Sequence, residues 1–158
     1  MQVDEIRSLL SGSFRGSGRG GYPTVSSFEY FETIDLEPSP KGFIEYRSRT
    51  RSKVDGSPLH TECGYIRVIS PERAELIVAQ PTGIAEVACG TIESIDGELV
   101  VSFEAIPSVS STAKVVSRTA RELRFGVNRL SYSFTMETDT VEMTWHLSAQ
   151  LDRIGGEG

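Results

Sequence analysis

Apolar residues recur along this chain with two different periods. At the start, Val3, Ile6, Leu9 and Leu10 fall at helical spacing, which predicts one short amphipathic helix ended by Gly12 and the glycines after it. From there the period is two. Phe28, Tyr30, Ile34 and Leu36 share one parity, and Glu29, Asp35 and Glu37 the other. Leu130, Tyr132, Phe134 and Met136 alternate with Ser131, Ser133, Thr135 and Glu137. Such alternation marks strands with one buried and one wet face.

Turn signals stand between these runs: Pro38-Ser39-Pro40-Lys41-Gly42, Asp55-Gly56-Ser57-Pro58, Pro81-Thr82-Gly83, Asp96-Gly97 and Gly126-Val127-Asn128-Arg129. They divide the chain into about ten strands: 12–20, 26–37, 42–53, 58–70, 74–80, 83–93, 98–105, 113–119, 121–127 with 129–137 as a hairpin, and 143–153. An antiparallel meander of this length removes its exposed edges by closing on itself. The expected fold is therefore all-β: an antiparallel ten-stranded β-barrel with a short N-terminal helix, one domain over residues 1–158 with its core at about 10–153 and a loose glycine tail at 155–158. Barrels wider than about eight strands tend to leave an interior cavity, and a cavity is where function would sit.

Composition narrows the function classes. The 158 residues suit one domain, and no apolar run approaches the roughly 20 residues needed to span a bilayer. Met1 to Leu10 carries Asp4 and Glu5 and does not read as a signal peptide, which points to the cytoplasm. A net charge of −6 gives no global positive field to hold phosphates, so a nucleic-acid partner is not expected. Cys63 and Cys89 cannot make a disulfide framework; they are expected to be unpaired thiols that pack as small apolar residues.

Gly16-Ser17-Gly18-Arg19-Gly20-Gly21 matches a dinucleotide fingerprint, and Asp35 lies at a suitable distance beyond it. That motif should open a helix, but Tyr22-Pro23-Thr24-Val25 and a strand pattern follow, so glycines that let a barrel strand bend are the better reading. Arg47, Arg49, Arg51 and Lys53 alternate as a solvated outer face. There is no G-x-S-x-G elbow, and Cys63 and His60, three residues apart, do not share a strand face.

The chain has two histidines. His60 shares its parity with Ile66 and Val68, which favours an inward position. His146 poses a conflict. Met143, Trp145, Leu147, Ala149 and Leu151 form one apolar parity, and His146 lies on the other with Thr144, Ser148 and Gln150. Simple alternation puts it in water. It faces inward if the inner face is the polar one and the outer apolar face, with Trp145 and Leu147, lies under a covering element.

Several separated segments, taken together, resemble the nitrobindins, haem-binding barrels related in shape to fatty-acid-binding proteins. The family opens with G-x-W-x-G-x-G followed by Tyr-Pro-Thr. Here the stretch reads Gly12-Ser13-Phe14-Arg15-Gly16-Ser17-Gly18 and then Tyr22-Pro23-Thr24, with Phe14 in place of the family tryptophan. Phe28-Glu29-Tyr30, Glu32, Tyr46 and Arg49-Thr50 follow. Pro58-Leu59-His60-Thr61-Glu62-Cys63-Gly64-Tyr65 resembles a P-x-H-x-E-x-G-Y pattern. Pro81, Gly83, Glu86, Ala113-Lys114, Leu130-Ser131-Tyr132, Met136 and His146-Leu147 complete the series, so the likeness runs from about residue 10 to 153.

The resemblance implies one haem b per chain with His146 as the axial iron ligand and catalytic residue. It places Thr24 near the haem, His60 on the distal side without ligating iron, and Lys114 at a propionate. The implied chemistry is ferric haem that binds nitric oxide and isomerises peroxynitrite to nitrate. The other classes weighed are a barrel carrier of a fatty acid or similar apolar ligand, and a barrel with only a structural role. The expected partners are small molecules, with no membrane, and a homodimer is left open. An iron-bound imidazole needs a partner on its other nitrogen, so a carbonyl or carboxylate is expected about 2.7–3.2 Å from it.

Overall fold

Period-two patterning over most of the chain leaves strands that each need two neighbours, and the computed structural model, which describes residues 1–155, supplies them as a ring. The elements are α1 (Val3–Leu10), β1 (Gly12–Tyr22), β2 (Val25–Pro38), β3 (Phe43–Ser52), β4 (Pro58–Ser70), β5 (Arg73–Gln80), β6 (Ile84–Ile95), β7 (Glu98–Ala105), β8 (Ser108–Val109), β9 (Val116–Phe125), β10 (Arg129–Thr138) and β11 (Thr144–Ile154). The order β5-β4-β3-β2-β1-β11-β10-β9-β7-β6 closes through a β5–β6 pairing, and every pair is antiparallel. This is the expected ten-stranded barrel; the two-residue β8 only adds to the start of β6.

One expected boundary is corrected. Residues 113–119 and 121–127 are not two strands: Val116–Phe125 runs unbroken as β9. Ser117 to Leu123 contain no glycine or proline to end a strand, and β10 pairs with Arg118 to Phe125 and β7 with Thr119 to Phe125, straight across residue 120. Residues 156–158 of the expected glycine tail lie outside the described residues. No helix among the described residues is long and apolar enough to cross a membrane.

The two rims differ. At one, α1 follows the pattern read from sequence: Ile6 and Leu10 are fully buried and join Phe14, Ile34, Ile44 and Ile66 in the apolar core, while Leu9 stays exposed. The backbone N–H of Gln2 donates to the Glu5 carboxylate at 2.8 Å, which satisfies an orphan donor at the helix start. Gly12, at φ +143°, turns the chain into β1. Phe14 is buried, meets Phe125 edge-on at 6.2 Å, and lies under the Arg153 guanidinium at 4.7 Å. Arg153 also donates to the carbonyls of Leu9 and Ser11, which ties the helix down. The opposite rim, made by the 22–25, 52–58, 80–84, 105–116 and 138–144 connections, has no helix across it among the described residues.

The glycines of β1 have a packing reason. A Cβ on Gly18 would lie 2.4 Å from the Tyr30 ring, and one on Gly20 would lie 2.3 Å from the Phe28 ring. Their absence lets both aromatic rings of β2 lie across the β1 backbone. Arg47, Arg49 and Arg51 face solvent as expected. Cys63 and Cys89 are free, but both are exposed, so the expected packing role is corrected. Their strand parity puts them on the outer face, where Cys63 is paired with Arg47 in register.

Candidate functional site

The β10–β11 ladder holds the resolution of the His146 conflict. Phe134 pairs with Leu147, but the next residue, Thr135, pairs with Trp145. His146 is therefore the extra residue of a β-bulge, and the parity of β11 changes there. Below the bulge Leu147, Ala149 and Leu151 face inward, which corrects the place of Leu147 on an outer face under a covering element. Ser148 and Gln150 lie on the outer face, which corrects their expected place in a polar pocket. Trp145 is turned outward too: Arg19 stacks on it at 5.2 Å and its indole N–H donates to Ser148 Oγ at 2.7 Å.

His146 packs inside the open rim against Tyr22, Phe28 and Phe134, at ring-centroid distances of 5.3, 6.4 and 6.1 Å. The β1–β11 pairing stops at Gly20–Leu147, so the Gly21 carbonyl is left without a strand partner. His146 Nδ1 meets that oxygen at 3.0 Å. A carbonyl only accepts, so Nδ1 carries the proton and the neutral ring presents Nε2 as a lone pair. Among the described residues Nε2 has no hydrogen-bond partner. Burial, aided by the charges of Lys114 and His60 and opposed by the Gly21 bond, lowers the ring's pKa and keeps it neutral.

Three of the other residues named from sequence, Thr24, His60 and Lys114, belong to the same rim. Thr24 sits in the β1–β2 turn, where Lys114 Nζ donates to its Oγ1 at 3.4 Å. Lys114 also lies over the Tyr22 ring at 5.6 Å, so Tyr22 joins His146 to the cationic lip. Tyr22 is fixed by its hydroxyl, which donates to the Met136 carbonyl at 2.8 Å. His60, near the start of β4, is half-buried, and its Nε2–H donates to Glu62 Oε1 at 3.3 Å. Gly12, Phe14, Gly16 and Gly18 run along β1 from the α1 rim, so the opening motif belongs mainly to the closed end.

Between the apolar core and the open rim lies a charged layer. Arg121 projects inward from β9 and donates to both oxygens of Glu62 at 2.8 and 3.1 Å, and also to Glu86. Tyr46 donates to Glu62 at 3.0 Å, and Gln80 donates to Glu86 at 2.9 Å. The Arg121 guanidinium lies 4.9 Å from the Phe134 ring that borders His146, and its Nε is buried without a partner among the described residues. Glu32 accepts from Tyr132 and Ser48, each at 2.6 Å, and Tyr132 meets the Tyr30 hydroxyl at 2.7 Å. Burial pushes the Glu32 carboxyl up to about 7. Burial acts the same way on Glu62, but Arg121 and His60 outweigh it and hold that carboxyl well below its usual range.

Sequence reading missed Tyr22, Phe28 and Phe134 as pocket walls, and it missed this layer. A signal existed. Glu32 falls on the Phe28-Tyr30-Ile34-Leu36 parity, and Glu62 on that of His60, Ile66 and Val68. An acid at a core-facing position is costly unless paired, so each asked for a buried partner.

The matching family model is described as a THAP4-like, heme-binding beta-barrel domain, and it covers residues 5–153. A protein from Nocardia farcinica named peroxynitrite isomerase is 41% identical over 91% of this chain and 86% of its own length. Peroxynitrite isomerase 1 of Rhodococcus jostii is 40% identical over 96% of this chain and 84% of its own length. The crystal structure of Rv2717c from M. tuberculosis superposes with a TM-score of 0.92 at 35% identity, over 97% of this chain and 98% of that one.

Proposed function

The chain belongs to the THAP4-like, haem-binding β-barrel family, and we propose that it is a haem-dependent peroxynitrite isomerase whose axial ligand is His146. The observation that carries this reading is the state of that imidazole: neutral, held through Nδ1 by the Gly21 carbonyl, with Nε2 free among the rings of Tyr22, Phe28 and Phe134. A neutral imidazole oriented by a carbonyl on its other nitrogen is the donor that haem iron takes. The residues present therefore fit the group.

When bound, the haem supplies the iron at which peroxynitrite rearranges to nitrate and at which nitric oxide is held. The chain supplies the setting. Tyr22, Phe28 and Phe134 hold the imidazole plane and keep water from it. Lys114 and Thr24, at the lip, are placed to meet a propionate carboxylate. His60, anchored by Glu62, presents a polar ring to the same end of the barrel. The partners in this reading are small molecules, and two exposed unpaired thiols suit a reducing cytoplasm. A fatty-acid carrier needs a cation free inside the barrel, whereas the inward Arg121 is already neutralised by Glu62 and Glu86.

The test is an absorption titration with ferric haem. The unaltered chain should give a Soret band and speed the decay of peroxynitrite to nitrate. His146→Ala should lose both while its far-ultraviolet dichroism keeps the barrel signature. An unchanged Soret band and turnover in His146→Ala would remove His146 as ligand.

A further inference from the structure

We propose that Tyr30 and Tyr132 form a redox-active pair that gives one electron to a strong oxidant arising in the His146 pocket, with Glu32 taking the proton. The proposal rests on the haem reading only for the source of the oxidant. Tyr30 is fully buried, and its hydroxyl meets that of Tyr132 at 2.7 Å. Tyr132 in turn donates to Glu32 Oε1 at 2.6 Å, and Ser48 holds the other carboxylate oxygen at 2.6 Å, which keeps Glu32 aimed. A phenol that loses an electron becomes a strong acid. In an apolar interior that step is prohibitive unless the proton leaves along an existing hydrogen bond, and this chain provides one. Burial also lifts the Tyr132 phenol well above its ordinary range, so oxidation through a phenolate formed beforehand is closed at neutral pH.

The pocket is connected to the pair by aromatic steps. Phe28 lies 6.4 Å from His146 and 5.9 Å from Tyr30 between ring centroids. The step balances as follows. The Tyr132 O–H bond breaks, its proton forms an O–H bond on the Glu32 carboxylate, and its electron reduces the oxidant. Nitrogen dioxide, the one-electron oxidant released when the O–O bond of peroxynitrite breaks without recombination, leaves as nitrite. The pair would thus intercept a toxic fragment inside the protein.

Glu32 must be ionised to accept the proton. It is faced by Ser48 from β3, Glu62 from β4, Arg121 from β9 and Tyr132 from β10, and its carboxyl ionises at about 7. Radical yield should therefore rise as pH passes upward through that region.

The test uses a Tyr65→Phe parent, because Tyr65 is the exposed tyrosine on the outer face. The haem-loaded parent is mixed with peroxynitrite, freeze-quenched and read by electron paramagnetic resonance. A tyrosyl signal is expected that rises with pH, is lost in Tyr132→Phe, and is lost in Glu32→Gln although both tyrosines remain. A signal of equal size in either variant, or one indifferent to pH, overturns the proposal; Glu32→Gln decides if Tyr132→Phe does not fold. Failure of the parent to give a Soret band counts against the haem reading instead. The haem-free chain, oxidised by a photogenerated ruthenium(III) polypyridyl complex, then judges the tyrosines by the same two variants.

Discussion

Inward strand positions beneath Ile6 and Leu10 of α1 carry Phe14, Ile34, Ile44 and Ile66, whereas inward positions toward the open rim carry Glu32, Glu62, Glu86, Arg121 and finally His146. The same barrel wall, with the same alternation, builds a dry plug at one end and a polar floor beneath an aromatic pocket at the other. The closed end gains from burial alone, because its side chains ask for nothing but contact. The open end holds groups that are costly to bury and survive only through one another, since each carboxylate needs its donors and Arg121 needs both acids. The open end thus trades stability for a fixed chemical environment.

The strongest test of this division is Arg121→Ala. It strands Glu62 and Glu86 without their counter-charge, and breaking a buried pair in this way costs about 3–5 kcal/mol. Urea unfolding should show the loss, and haem affinity should fall with it because the Phe134 ring loses the guanidinium it rests on. A loss well under 1 kcal/mol would mean the layer is not a stability hinge.

Phe14→Ala probes the other end. Emptying that buried aromatic site should cost about 3–5 kcal/mol, toward the lower part of that range if Arg153 and α1 settle into the gap. Below its unfolding temperature the variant should keep the position of its Soret band. A shifted band would show that the two ends are coupled.

A pH series separates the two carboxylates of the polar layer. The Glu32 carboxyl ionises at about 7 in the folded chain and at about 4.5 in an ordinary setting. Between those values the unfolded chain has released a proton that the folded chain keeps, so stability falls as pH rises through this window and levels off above it. Glu62 behaves in the opposite sense. Its lowered pKa gives stability that is present above the usual carboxylate range and lost as pH falls through and below it. Glu32→Gln should remove the first trend and leave the second, so its stability relative to the unaltered chain should grow from pH 4.5 to pH 7. A parallel pair of curves would contradict the burial of Glu32.

The smallest effect is expected from Tyr22→Phe. It removes one hydroxyl that donates to the Met136 carbonyl, worth about 1 kcal/mol. Haem affinity should weaken measurably, since Tyr22 adjoins the Gly21 carbonyl that orients His146. Equal haem affinity would show that the carbonyl needs no such support.

Much of the fold is legible from residues alone because period-two alternation and turn chemistry are local. Phe28 to Leu36 and Leu130 to Met136 announce their inward faces, the proline and glycine turns separate the strands, and Val3, Ile6 and Leu10 announce the helix. The candidate ligand could be named through its place in a family-like order of motifs, and Thr24, Lys114 and His60 with it. Their assembly at one rim is a matter of strand register, which no local pattern carries.

Three things were decided only in three dimensions. His146 turns inward because β11 gains one residue against β10, and a bulge is invisible to a strict two-residue period. That same slip keeps Trp145 outward but turns Leu147 inward and leaves Ser148 and Gln150 on the wet face, against the reading that put the polar side within. The Gly21 carbonyl becomes available to Nδ1 only because pairing between β1 and β11 ends one residue earlier. And the acids at 32, 62 and 86 are bearable only because barrel closure brings Arg121 and Tyr132 to them from strands far apart in sequence. Alternation specifies which face of each strand is buried; only closure specifies what each buried polar group will meet.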